Sequence, residues 1–236
     1  MHRHEADIAP YLPPVVTPRL LWRVEVRGWL MLGFHHITGR HADLSPGSED
    51  LPLVVEAVST LARELADFAA PAVPALSEKM AWLAGWRRLR HQPPAGLDQW
   101  SRDRLDLLVE LEAEGIESAA GNSLIHSDLH QLNILVGGGR AWVIDWAWSR
   151  TGAGWIDAAQ LVVRLIDQGH DPETAEHWAA TTFAWPTASA EALTAFSVAL
   201  LGMWTYLHHT DPLPMRAALV TAARRWAEHR LLMGRA

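Results

Sequence analysis

The spacing of apolar residues changes twice along the chain. Residues 5–12 are spaced as a short helix, and the runs 19–26 and 29–37 are extended. Arg27-Gly28 between these runs predicts a hairpin turn, because such turns need positive φ angles. After a polar connector the spacing becomes helical. We therefore expect a small β-hairpin region followed by a mainly helical part.

The helical part is interrupted once, near its centre. We predict short strands at 123–125, 133–136 and 141–144, and the three glycines at 137–139 predict a tight turn between the last two. Ser77 is expected to cap one helix and Gly115 to end another. The predicted helices are 53–69, 77–90, 98–114, 156–168, 172–182, 190–208 and 215–233.

Composition narrows the class of protein. The 236 residues are 49% apolar, enough for one compact body or two packed lobes. Cysteine is absent, which excludes disulfides and thiolate metal sites and favours an intracellular protein. Apolar runs such as 195–206 are too short to span a bilayer, and no secretory signal precedes them. We therefore expect a cytoplasmic protein without a membrane partner.

The charge distribution argues against a nucleic-acid partner. The formal net charge is −7, and arginine is common but forms no dense basic stripe. Lysine occurs once, as Lys79. The thirteen tryptophans are expected to serve as packing residues in the core and between lobes.

The central insert carries the candidate chemistry. It contains His-x-Asp-x-x-x-x-Asn at positions 126–133, and a predicted hairpin then leads to Ile-Asp-Trp at 144–146. With Asp128, Asn133 and Asp145 in this order, the run resembles the aminoglycoside phosphotransferase and choline kinase family, whose members are related to the protein kinases. The resemblance implies an α+β, protein-kinase-like fold. The expected domains are a remnant of the N-terminal nucleotide-binding lobe at 1–37 and a helical catalytic and substrate-binding lobe at 38–236.

The resemblance also implies a reaction and its main residues. A family member would transfer the γ-phosphate of ATP or GTP to a hydroxyl group of a small molecule. Asp128 would accept the proton of that hydroxyl. Asn133 and Asp145 would hold Mg²⁺, which prefers oxygen ligands. The protein then mainly positions the reactants and neutralises charge.

Neighbouring residues have supporting roles by the same resemblance. His126 would brace the catalytic loop through hydrogen bonds. His130 would approach the γ-phosphate or simply face solvent. Asp157, in a looser match at 154–159, would support the loop from the first turn of a helix, where a negative charge is favourable.

The N-terminal residues match the nucleotide side of the family in part. Adenine would bind backbone groups near His35 and Ile37, although a plain buried strand is the alternative for this segment. Glu5 would correspond to the glutamate that pairs with a phosphate-gripping lysine. No lysine or glycine-rich turn precedes it, and Lys79 lies in the helical part. We expect a truncated chain, an inactive remnant or a reduced enzyme, with slow or absent turnover.

Two other functions compete with a kinase. A nucleotide- or ligand-binding pseudokinase would explain the missing lysine, and a metal-dependent hydrolase would use His126, Asp128 and His130. The acceptor is open among aminoglycosides, amino alcohols and sugars, and its pocket should be formed from residue 155 onwards. Acidic residues there would favour a cationic acceptor or be solvated: Asp157, Asp167, Asp171, Glu173 and Glu176. The pattern does not define an oligomeric state.

Overall fold

The N-terminal part is a short helix followed by an exposed hairpin. The computed structural model describes residues 2–69 and 73–233. Helix α1 (His2–Ile8) runs into a short 3-10 helix at Ala9–Tyr11, and strands β1 (Leu20–Val26) and β2 (Trp29–Phe34) pair antiparallel. Arg27 and Gly28 have φ angles of 49° and 82°, so the predicted hairpin turn is confirmed.

Two further small sheets form the centre of the molecule. Strands β3 (Arg40–His41), β5 (Ile134–Gly137) and β6 (Arg140–Val143) form an antiparallel sheet in the order β3-β5-β6. Strand β4 (Ser123–Ile125) pairs antiparallel with β7 (Arg150–Gly152). The turn between β5 and β6 lies at Gly138 and Gly139, both with positive φ, as predicted. β3, with only two residues, and β7 were not predicted from the sequence.

The remainder of the fold is helical. Its helices are α2 (Leu51–Glu64), α3 (Leu76–Leu83), α4 (Gly85–His91), α5 (Gln99–Asp103), α6 (Leu105–Ser118), α7 (Ile156–Asp167), α8 (Pro172–Ala180), α9 (Ala190–Thr210) and α10 (Pro214–Met233). This confirms an α+β fold with a small β region and a mainly helical part. The domain boundary at residue 37 stays a prediction.

The helix predicted from Ser77 to Arg90 is wrong in two respects. It is two helices, broken at Ala84, which has a φ of 31°, and Ala75 rather than Ser77 is the residue before the first turn. A Cβ added to Gly85 would lie 2.0 Å from the carbonyl oxygen of Gly202. The break lets α4 approach α9 at backbone contact, which local sequence does not reveal.

Gly115 does not end its helix as predicted. Helix α6 continues to Ser118, and a Cβ on Gly115 would lie 2.4 Å from the carbonyl oxygen of Ala195 in α9. The glycine therefore permits a close crossing of two helices, a packing role that outweighs its low helix propensity.

Helix α9 is the centre of the helical core. It has 21 residues, more than the apolar run 195–206 suggested, and by length and composition alone it could cross a membrane. However, 56% of its most apolar window is buried inside the fold, against α6 and α10. This burial is that of a core helix.

Candidate active site

A buried carboxylate fixes the backbone of the loop that follows β4. Asp157, in the first turn of α7, accepts hydrogen bonds from the backbone N–H of His126 at 2.8 Å and of Ser127 at 3.0 Å. Ser127 has a φ of 60°, a left-handed conformation that is uncommon for serine. Burial raises the pKa of Asp157, while His126 and the two N–H donors oppose that rise. Asp157 thus fixes the backbone just before Asp128.

The buried ring of His126 joins the two halves of the insert. Its Nε2 lies 2.9 Å from the carbonyl oxygen of Ile144, and its Nδ1 accepts the backbone N–H of Asp128 at 3.3 Å. Because a carbonyl only accepts, the ring proton belongs on Nε2. The ring also packs edge-on against Trp146, with centroids 5.0 Å apart. The ring therefore bonds the chain on both sides of the hairpin.

Asn133 and Asp145 lie at the base of the β5-β6 hairpin. The Asn133 side-chain amide donates to the carbonyl oxygen of Asp128 at 3.0 Å, and the Asn133 carbonyl accepts from the N–H of Ile144 at 3.0 Å. Within residues 2–69 and 73–233, Asn133 Oδ1 has no hydrogen-bond partner. Asp145 follows Ile144 with a φ of 61° and is exposed. Two oxygen donors thus lie at neighbouring positions of one hairpin.

Asp128 faces a cavity of about 240 Å³ on the helical side of the loop. Its carboxylate is 3.9 Å from the guanidinium of Arg164 and 3.9 Å from Nε2 of His130. Burial lowers the pKa of His130, and the charge of Asp128 opposes this. His130 Nδ1 accepts the backbone N–H of Leu132 at 3.2 Å, so this ring also helps to shape the loop.

Asp145 faces a second cleft, of about 420 Å³, on the N-terminal side. Glu5, His35 and Ile37 line the same cleft. The N–H of His35 donates to the carbonyl of Arg19 at 2.8 Å, so His35 can offer a ligand only its carbonyl and its side chain.

Glu5 accepts the N–H of Trp146 at 3.1 Å. Burial raises the pKa of Glu5, and the nearby charge of Asp145 adds to the rise. Glu5 therefore attaches α1 to the segment that carries Asp145.

The insert thus brings the predicted residues onto two faces of one hydrogen-bonded loop. His126, Asn133 and Asp157 hold the loop, Asp128 faces the helical side, and Asp145 faces the N-terminal side. Across the described ranges, no three His, Cys, Asp or Glu side chains converge as metal ligands. Both nitrogens of His126 are already bonded, which argues against the hydrolase alternative.

The acidic residues expected around the acceptor have other roles. Asp157 binds the loop, Asp171 caps α8 by accepting the N–H of Thr174 at 2.8 Å, and Glu176 pairs with Arg230. None of these three lines the cavity at Asp128, and neither do Asp167 and Glu173. Their predicted contribution to a cationic acceptor site is therefore not supported.

Two residues of this cavity were missed from the sequence. Arg164 is two helical turns after Asp157 on α7 and therefore lies on the same face of the helix. A charged residue at this position of an otherwise apolar helix could have indicated a site residue. Lys79 lies on α3 and packs with its Nζ 5.0 Å from the ring of Trp148. No local pattern connects residue 79 with residue 128.

Comparisons with known proteins identify the family of this chain. A model of the phosphotransferase enzyme family (APH) matches residues 2–192. Because the match covers most of the sequence, the chain belongs to that family. A search of curated proteins finds no match.

Several solved structures share the fold. A choline/ethanolamine kinase family protein from Mesorhizobium loti has a TM-score of 0.64 at 17% identity, over 98% of this chain and 79% of that one. An aminoglycoside phosphotransferase from Alicyclobacillus acidocaldarius has a TM-score of 0.64 at 15% identity, over 98% and 77%. A thermostable mutant of aminoglycoside phosphotransferase APH(4)-Ia, in ternary complex with AMP-PNP and hygromycin B, has 0.61 at 16%, over 97% and 81%.

These similarities confirm the protein-kinase-like fold that the motif implied. Together with the family match, they support a small-molecule phosphotransferase.

Proposed function

We propose that this chain transfers the γ-phosphate of ATP or GTP to a hydroxyl group of a small molecule in the presence of Mg²⁺. The main support is the loop at 126–133. One hydrogen-bonded unit presents Asp128 to one cavity and the hairpin base with Asp145 to another. A phosphoryl transfer site needs this division, because donor and acceptor must meet in line from two sides.

In this proposal Asp128 accepts the proton of the attacking hydroxyl. Its carboxylate is partly exposed to the cavity where an acceptor can enter. Arg164 and His130 each lie 3.9 Å from it, which is within ion-pair distance but too far for a hydrogen bond. His126 keeps the backbone of Asp128 in place and exchanges no proton, since its two ring nitrogens serve the loop.

Asn133 and Asp145 would hold Mg²⁺. Their oxygens fit this hard cation, and Asn133 is oriented by the bond from its amide nitrogen to Asp128. Two protein ligands are enough when phosphate oxygens and waters complete the octahedron. The bound ion would neutralise charge on the phosphates.

The nucleotide base would lie in the cleft with Ile37 and the carbonyl of His35. His130, which lies 3.9 Å from Asp128, would approach the γ-phosphate. AMP-PNP in the APH(4)-Ia ternary complex is consistent with a nucleotide donor. The names of the similar structures suggest an aminoglycoside or an amino alcohol as acceptor.

We further propose that transfer by this chain is slow. The described residues that line the nucleotide cleft include no lysine or arginine. Removing one preorganised donor from a transition state typically costs about 10²–10³ in rate.

Radiolabel transfer from [γ-³²P]ATP tests the proposal. With Mg²⁺ and a panel of hydroxyl compounds, we expect a labelled product with wild type and a loss of about 10²-fold or more with Asp128→Asn. Asp106→Asn is the matched control, because that side chain is 95% exposed and lines neither cavity. Equal transfer by wild type and Asp128→Asn would refute the proposed role.

A pseudokinase is the second candidate, because the described residues that line the nucleotide cleft include no lysine or arginine. It predicts binding of Mg²⁺·ATP without a labelled product from any acceptor. The same panel, combined with a thermal-shift titration of Mg²⁺·ATP, separates the two functions.

A further inference from the structure

The cavity at Asp128 has an apolar wall and an excess of positive charge. Leu76, Met80, Phe196 and Trp204 supply much of the apolar surface. Among the described residues, the charged side chains that line it are Lys79, Asp128, Arg164 and Arg216. Three cations therefore face one carboxylate, although the chain as a whole is acidic, with a net charge of −7.

The arginines have acidic partners. Arg164 is buried, lies 3.9 Å from Asp128 and stacks on Trp204 at 5.7 Å. Arg216 pairs with Asp211 at 2.7 Å. Their charges are therefore largely compensated within the protein.

Lys79 differs from these arginines. Among residues 2–69 and 73–233, no carboxylate forms an ion pair with it, and its ammonium lies on the ring of Trp148. Burial lowers the pKa of Lys79, the charge of Arg150 lowers it further, and the charge of Asp128 opposes these effects. A partly dehydrated ammonium group beside an apolar cavity is best stabilised by an anion.

Cavity size gives a second restriction. About 240 Å³ is less than the roughly 300–1,000 Å³ of pockets that enclose drug-sized ligands. A multi-ring polycation would not be enclosed by this cavity, and its ammonium groups would meet Lys79 at like charge.

We propose that the acceptor is a small hydroxylated molecule with an apolar body and a carboxylate, and that Lys79 pairs with this carboxylate while the hydroxyl faces Asp128. This inference rests on the proposed function for the direction of the hydroxyl. It replaces a cationic acceptor, suggested by the names of similar structures, with an anionic one.

Three probes of nearly equal shape test the charge preference. They are 4-(hydroxymethyl)benzoate, 4-(hydroxymethyl)benzamide and 4-(aminomethyl)benzyl alcohol, which are anionic, neutral and cationic. Ligand-observed NMR gives their affinities without any need for turnover. We expect the benzoate to bind most tightly and the amine most weakly.

Variants connect this preference to Lys79. Lys79→Met should weaken benzoate binding by about tenfold or more, since a charge-assisted hydrogen bond is lost, while amide binding stays unchanged and amine binding improves. Lys79→Arg should retain the preference. Arg63→Met, which removes an exposed cation from α2, is the matched control.

Four binding results would overturn the inference. Equal or tighter binding of the amide or amine by wild type, no binding of any probe, or no effect of Lys79→Met on the benzoate overturns the inference. An equal loss of Mg²⁺·AMP-PNP binding in Lys79→Met also overturns it, because the lysine would then serve the nucleotide.

Phosphate transfer is measured separately. Lysine-dependent benzoate binding without transfer from [γ-³²P]ATP would leave the inference intact and count against the proposed function. Transfer to the amine alone would support the function and overturn the inference.

Discussion

Replacing Asp157 should destabilise the whole fold as well as the catalytic loop. Its carboxylate is buried and accepts two backbone N–H groups, of His126 at 2.8 Å and of Ser127 at 3.0 Å. In Asp157→Ala both donors lose their partner, at about 1–3 kcal/mol each, so we expect a loss of about 2–6 kcal/mol. Burial raises the pKa of Asp157, so the cost of the buried charge offsets part of this loss.

Asp157→Asn should give an intermediate result. The amide keeps one acceptor oxygen and turns its NH₂ group towards the other donor, so the expected loss is about 1–3 kcal/mol. Urea denaturation followed by circular dichroism measures both variants. Asp171→Ala is the matched control, since Asp171 is an exposed carboxylate that caps α8, and its loss should cost about 1 kcal/mol.

The test is the order of the variants in free energy of unfolding. The free energy of unfolding should fall in the order wild type, Asp157→Asn, Asp157→Ala. If Asp157→Ala loses no more stability than Asp171→Ala, the carboxylate does not hold the loop as described.

Three further predictions concern stability. Because burial lowers the pKa of Lys79, the unfolded chain binds the lysine proton more readily than the folded chain does. Lys79→Met should therefore raise the thermal midpoint at neutral pH, although it weakens benzoate binding. An unchanged midpoint would contradict the burial argument. Burial raises the pKa of Glu112 above its ordinary value of 4.5, so the contribution of Glu112 to the free energy of unfolding should fall as pH rises through that higher pKa. In urea titrations at several pH values, Glu112→Gln should lack this fall. Gly115→Ala should cost about 1–3 kcal/mol, because the clash with Ala195 exceeds the gain of about 1 kcal/mol in helix propensity. Gly96→Ala, with only an ordinary contact at 3.7 Å, should be nearly neutral by comparison.

Elements whose cause is local could be predicted from the sequence. The turn at Arg27-Gly28 needs positive φ angles, and the extended runs beside it need only their own residues. The strand before His126 and the glycine turn between β5 and β6 were found for the same reason. The motif with Asp128 and Asn133 could be assigned because its residues lie within a few positions of each other.

Features that depend on distant contacts could not be predicted. Ala84 breaks a helix because Gly85 meets the backbone of Gly202, more than a hundred residues later. Gly115 looked like a helix end because the sequence does not show that Ala195 packs against it. Lys79 reaches the cavity of Asp128 only through the packing of α3 beside the loop. Helical spacing therefore predicted most helices but not the charge of the cavity between them.

Calorimetric titration of Mg²⁺·AMP-PNP into wild type, Asp128→Asn and Asp145→Asn tests the central claim most directly. The account predicts that Asp145→Asn weakens binding by more than about tenfold, because a ligand of the metal is altered. It predicts that Asp128→Asn binds within about twofold of wild type, because Asp128 faces the other cavity. Unchanged binding by Asp145→Asn, or an equal loss in both variants, would contradict a phosphotransfer site divided between the two faces of this loop.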